Sequence, residues 1–172
     1  MALTECFVRI KKTVILMMVF LLSACGYHLR GALTLPAGLK SIFLEGGSPQ
    51  LQEQFASSMK VSSVPVASAP ESADLIIRIY NENNDRRVLS LNAGGTANDF
   101  ELDYNFEYEL IDSKNKVLMP RQPISIKREY YNNQQAILAK DNEELIIRQE
   151  MYQQAIRSIV GGAKAALEVS SK

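Results

Sequence analysis

The stretch DFELDYNFEYEL, residues 99–110, alternates without a break. Phe100, Leu102, Tyr104, Phe106, Tyr108 and Leu110 take one parity, and Asp99, Glu101, Asp103, Asn105, Glu107 and Glu109 take the other. Successive side chains of a strand point to opposite faces, so this period of two predicts a strand with one buried and one solvated face.

Downstream, Asp112, Ser113, Lys114 and Asn115 form a turn signal. It leads into residues 117–119 and then, past Pro120 and Pro123, into 124–130, which should pair antiparallel with the acidic strand. Lys127, Arg128 and Arg121 are then expected opposite its carboxylates, relieving like-charge repulsion. The last element is a long helix. Asp141 and Glu144 have the spacing of a capping box, and Leu145, Tyr152, Ile156, Ile159 and Ala163 follow on one stripe that Ile147, Met151 and Ala155 widen. A start near Gln134 is the alternative, which puts Lys140 inside the helix or at a kink. Gly161 and Gly162 are expected to end or fray it.

Upstream, residues 75–80 read as a strand. Residues 81–98, broken only by Val88, Leu89 and Leu91, read as a polar stretch whose end, with Asn92, Gly94, Gly95 and Asn98, is a flexible loop. Ser48 followed by Pro49 is a helix start, and Leu51, Phe55 and Met59 at i, i+4, i+8 give that helix one apolar stripe. Residues 40–45 and 61–67 read as flanking strands joined by a right-handed crossover, with Pro65 marking a sheet edge. The sum is an α+β fold: a two-layer sandwich with two helices packed on one face of a four- or five-stranded mixed sheet.

The beginning of the chain has a different composition. Arg9, Lys11 and Lys12 precede an apolar run over residues 14–22, too short for the about 20 residues of a membrane span. This is the layout of a secretory signal peptide. It ends in Leu22, Ser23, Ala24 and Cys25, which resembles the lipobox of bacterial lipoproteins. That resemblance implies a lipoprotein signal peptide over 1–24, lipid attached to Cys25, and a single periplasmic lipid-anchored domain over 25–172. Two or three acyl chains hold a protein durably to a membrane. In lipoproteins an Asp after the Cys favours inner-membrane retention, so with Gly26 there the same resemblance implies delivery to the outer membrane. Cys6 leaves with the signal, so the mature chain has no disulfide and rests on packing.

Composition excludes several functions. The 19 Lys and Arg balance 19 Asp and Glu, leaving no basic field for nucleic acid. The single His, His28, stands beside the anchor, unsuited to a catalytic triad or a metal site. Glu107 and Glu109 stand about 6.6 Å apart along a strand, near the spacing of a glycosidase pair. General acid work, however, needs a buried carboxyl, and alternation puts both on the solvated face. The chain is therefore expected to be no enzyme, with no catalytic residue, no metal and no cofactor beyond the lipid on Cys25. Arg86, Arg87, Lys127, Arg128 and Lys140 are either phosphate donors or charge balance for the acidic strand.

Two motifs carry a family resemblance. Cys25, Gly26, Tyr27, His28, Leu29, Arg30 and Gly31 resemble the mature start of the LPS-assembly lipoprotein family, LptE. Ala136, Ile137, Leu138, Ala139, Lys140, Asp141, Asn142 and Glu143, continued by Met151, Tyr152 and Ala155, resemble its late motif. The resemblance implies a plug inside the outer-membrane barrel LptD that helps the barrel assemble and binds lipopolysaccharide in transit. Lys140 matches a basic position associated with lipopolysaccharide binding. The second basic position, in the loop before the acidic strand, is Asn92 here, with Arg86 or Arg87 as substitutes. Gly161 and Gly162 depart from a more basic, Leu-rich helix end. The alternative is a free-standing outer-membrane lipoprotein adaptor for another envelope machine or for peptidoglycan.

Overall fold

In the structure, a computed structural model, residues 39–132 and 137–170 are described, with side chains over 143–169 in the second stretch. Cys25, the lipobox and the boundary after residue 24 lie outside the described residues.

The acidic stretch forms β3, Ala97–Asp112, an inner strand. The sheet order is β1, β2, β3, β4, with β1 at Ile42–Glu45, β2 at Leu75–Leu91 and β4 at Val117–Tyr131. β1 runs parallel to β2, and the other pairs are antiparallel. Helices α1, Pro49–Val61, and α2, Ile137–Ser170, contact each other, and α2 lies on β3 and β4. This is the expected α+β arrangement, with four strands among the described residues.

The core lies between the layers. Leu102, Tyr104, Phe106, Tyr108 and Leu110 of β3 are buried with Leu51, Phe55 and Met59 of α1 and with Met151, Tyr152, Ala155, Ile156, Ile159 and Ala163 of α2. Each large apolar side chain so buried stabilises the fold by roughly 1.5–3 kcal/mol. At the head of α1, the Ser48 hydroxyl accepts from the Leu51 N–H at 3.3 Å and donates to Glu82 at 2.8 Å. The cap thus ties the helix to the sheet.

Residues 61–67 are not a fifth strand. They make a single parallel bridge, Ile42 to Val66, because Pro65 has no N–H to offer and Ser63 turns at φ 56°. The Pro65 carbonyl still accepts from the Ile42 N–H at 3.0 Å, so the edge reading stands.

Residues 81–91, read as a polar stretch, continue the strand, and the loop expected at its end is the turn at 92–96. β2 continues beside β3 to the pair Leu91–Ala97, and only a short turn remains at the tip. A bulge interrupts the ladder between Tyr80 and Asn83, where Asn81 takes φ 52°. Asn tolerates that left-handed conformation better than most residues.

The helix α2 starts by Ile137, so Asp141 and Glu144 are no capping box and Lys140 lies inside the helix. Leu145 falls off the buried stripe, at 58 % exposed. The helix also passes through Gly161 and Gly162 to Ser170. A Cβ on Gly162 would stand 2.2 Å from the Tyr108 hydroxyl oxygen, so this glycine serves a close approach rather than a helix end. β4 is continuous through Pro120 and Pro123, which an edge strand permits.

Candidate functional site

The face of the sheet away from the helices carries a small apolar cluster of Phe43, Ile76 and Ile111 at one end and, along the rest, a charged surface with several ion pairs. Arg78 Nε meets Glu45 at 2.6 Å across the parallel pair. Arg121 lies 3.6 Å from the Tyr80 ring centroid and 3.8 Å from Glu107, while the Tyr80 hydroxyl donates to Glu109 at 3.0 Å. Lys127 Nζ reaches Asp103 at 3.2 Å and Glu101 at 3.7 Å. Lys127 and Arg121 thus stand opposite carboxylates as expected. Arg128 does not: it pairs with Leu102, on the helix side, and bonds Gln154 of α2. Glu101, expected to be solvated, is only 5 % exposed, because Arg87 Nε closes on it at 2.6 Å and Lys127 covers it. The Arg87 hydrogen bond holds the Glu101 carboxyl below the usual carboxylate range.

Arg86 and Arg87 occupy opposite faces. Arg87 pairs with Glu101 on the open side, and Arg86 pairs with Leu102 on the helix side. There Arg86 Nη1 meets Glu144 Oε2 at 3.0 Å. The Tyr130 hydroxyl donates to the same oxygen at 2.6 Å, and Arg148 reaches Oε1 through Nε at 2.8 Å and Nη2 at 2.7 Å. Arg148 also donates to Asn84, whose amide donates to the Tyr152 hydroxyl oxygen at 2.9 Å. The Arg86 guanidinium lies 4.9 Å from the Phe100 ring, which stacks on Tyr130 at 5.5 Å. Partial burial raises the Glu144 pKa, but hydrogen bonds from Tyr130, Arg148 and Arg86 outweigh it and hold this carboxyl below its ordinary value. Burial, helped by Glu144, pushes the Tyr130 phenol up to about 12.

Beside this cluster a groove of about 550 Å³ lies between the start of α1 and α2. Arg148 forms part of its wall, with Gln50, Gln54, Asn84, Gln149 and Tyr152. Glu82 also lines it, accepting from Ser48 and, at 2.8 Å, from the Tyr104 hydroxyl. Burial first, then that bond, raises the Tyr104 phenol far above its ordinary pKa.

The other expected site residues stand apart. Asn92 is a turn residue: its side-chain oxygen accepts from the Gly94 N–H at 2.9 Å and the Thr96 N–H at 3.1 Å. Lys140 lies in α2 one turn before Glu144, with its side chain outside the described residues. Tyr130, Arg148, Asn84 and Glu82 were not singled out from the sequence as site residues. The Glu144 and Arg148 spacing of i, i+4 was a legible sign of that pair. The others meet only through long-range pairing.

Comparison with known proteins agrees with this fold. A family model described as "LptE: Lipopolysaccharide-assembly" matches residues 48–160. A protein named LPS-assembly lipoprotein LptE from Pectobacterium atrosepticum is 28% identical over 150 residues, covering 83% of this chain and 78% of its own. One of the same name from Photorhabdus laumondii is 26% identical over 144 residues, with the same coverage, 83% and 78%. Among solved structures, the uncharacterized lipoprotein B from Nitrosomonas europaea superposes with a TM-score of 0.64 at 24% identity, covering 84% of this chain and 93% of that one. The rare lipoprotein B from Shewanella oneidensis gives 0.58 at 22% identity, covering 76% and 97%.

Proposed function

The chain belongs to the lipopolysaccharide-assembly family LptE, and from that membership we propose that it is an outer-membrane lipoprotein plugging the LptD barrel. In this reading it helps the barrel assemble and binds lipopolysaccharide on its way to the cell surface. Lipid on Cys25 tethers it to the periplasmic side of the outer membrane. Its work is binding and assembly rather than catalysis.

The observation that carries the plug reading is the open sheet face. A lone domain in water gains little from exposed ion pairs, typically about 0–1 kcal/mol each. A polar barrel lumen, by contrast, accommodates a folded insert whose outer face is charged. The ladder from Glu45 and Arg78 through Glu107 and Arg121 to Arg87, Glu101 and Lys127 is such a face. Tagged full-length lipoprotein, extracted in mild detergent, is expected to bring a stoichiometric large barrel identified by mass spectrometry. An acylated, correctly localised chain that emerges without a barrel would favour the free-standing adaptor instead.

For lipopolysaccharide itself, Lys140 and Arg86 are the basic contacts this reading uses, with Arg87 committed to the other face and Asn92 to its turn. Lys140→Asp is expected to weaken lipopolysaccharide binding by about tenfold, the scale of one charge-assisted contact, with an unchanged circular dichroism spectrum. Undiminished binding would remove Lys140 from the site.

A further inference from the structure

Resting on the lipopolysaccharide-binding reading above, we propose that Arg86, Arg148 and Tyr130 form a site for a sugar-borne phosphomonoester, which the Glu144 carboxylate occupies as an internal stand-in until the ligand displaces it.

The geometry is that of an anion receptor already filled. Four donor contacts from three side chains converge on two carboxylate oxygens within 2.6–3.0 Å. Two guanidiniums face the Glu144 carboxylate, a local excess of one positive charge, with Glu53 and Glu82 on the groove side of Arg148. A phosphomonoester brings about 1.5–2 negative charges at pH 7 and three acceptor oxygens. It therefore matches two guanidiniums and a phenol better than a carboxylate does, and arginine pairs with phosphate in the same forked manner. The site is also reachable and preformed. The Arg86 side chain is 49% exposed and is held over the Phe100 ring, so it stays in place when its partner changes.

The carrier of the phosphate follows from what lies next to Arg148. The groove on its other side, about 550 Å³, falls within the roughly 300–1,000 Å³ of small-molecule sites. Its walls present the amides of Gln50, Gln54 and Gln149 and the carboxylates of Glu53 and Glu82. Amides donate and accept and carboxylates accept, as ring hydroxyls require, whereas an acyl chain offers such polar walls no partner. Arg148 belongs to both the anion cluster and the groove, so one ligand can place its phosphate on the cluster and its ring among the amides. Displacement moves Glu144 from Arg148 and Arg86 toward solvent, to which its side chain is already 18% open.

The test uses the full-length chain in detergent micelles, titrated calorimetrically with glucosamine 1-phosphate and with inorganic phosphate. Glu144→Gln removes the competing charge and is expected to bind glucosamine 1-phosphate about tenfold more tightly than the unmodified chain. Adding Arg148→Gln to that variant should abolish the gain. Inorganic phosphate should bind more weakly than the sugar phosphate, because only the latter uses the groove; equal affinities overturn the sugar assignment. A folded Glu144→Gln with unchanged or weaker affinity overturns the stand-in. If that variant does not fold, Glu144→Asp keeps the charge but withdraws it by one methylene, and a gain of about threefold is expected; no gain overturns the proposal. The barrel pull-down is read separately, so its failure leaves this site standing, and failure here leaves the plug untouched.

Discussion

The two halves of β2 share one partner strand and one hydrogen-bonding ladder, yet they are built differently. Residues 75–80 carry Leu75, Ile76, Ile77 and Ile79, all buried, and lie over the core. Residues 83–91 are mostly exposed and rich in Asn and Arg, although they pair with the buried Tyr104 and Leu102 of β3. Backbone pairing continues through both, with further register shifts after Val88, while burial does not. The difference teaches that pairing with a well-formed neighbour can hold a strand whose own residues have poor strand propensity.

The bulge at Asn81 makes the contrast functional. Asn81 and Glu82 together occupy the ladder step opposite Phe106, between the pairs Tyr80–Glu107 and Asn83–Asn105. A one-residue slip flips every later side chain to the other face. Glu82, Asn84 and Arg86 consequently face the helices, where they meet Tyr104, Arg148 and Glu144. An unbroken alternation from Ile77 and Ile79 would have sent Arg87 there instead.

Breaking the packed half should have the largest effect. Phe55, 1% exposed in the same cluster as Ile77 and Ile79, leaves a cavity when cut to Ala, and Phe55→Ala is expected to cost about 3–5 kcal/mol. The urea midpoint reads this directly, and a cost under 1 kcal/mol would mean that α1 does not anchor the core. Next comes the close approach of α2 to β3. Gly162→Ala should cost about 1–3 kcal/mol, because the added methyl meets the Tyr108 hydroxyl. Helix propensity alone would make the same change favourable by about 1 kcal/mol, so the sign of the measured shift decides which effect governs.

The polar half is sharpened by pH. The Glu144 carboxyl titrates below its ordinary 4.5 in the folded state, so the folded chain binds this proton more weakly than the unfolded chain does. Its contribution to stability is present above about pH 4.5 and is lost as pH falls through the folded value. Stability against urea should decline over that acidic window in the unmodified chain and decline less in Glu144→Gln; parallel profiles would show that the cluster does not couple to folding. The smallest effect is expected at the strand tip. Leu91, 63% exposed, touches little, and Leu91→Ser should stay within about 0.5 kcal/mol. A larger loss would mean that the exposed half contributes to the core after all.

The elements legible in the sequence are those whose signals are local. The alternation over residues 99–110 located β3 and its buried face, because a strand half-covered by a core must alternate. Ser48 and Pro49 located the start of α1, because a helix must satisfy its first free N–H groups within a turn. Gly161 and Gly162 misled for the same reason: helix propensity is local, while the need of Gly162 lies on Tyr108, far away in sequence.

By itself the sequence determined the α+β class, the faces of β3, the apolar stripe of α1 and most of that of α2, and the resemblance to LptE. Each depends on spacing within a few residues, which period and capping chemistry express directly. Only the tertiary structure decided that β2 runs on to Leu91, that Arg86 and Arg87 part company, and that Arg86, Tyr130 and Arg148 share Glu144. These outcomes rest on ladder register, a bulge and the crossing of a helix over the sheet, where residues dozens of positions apart meet and no local pattern records the meeting.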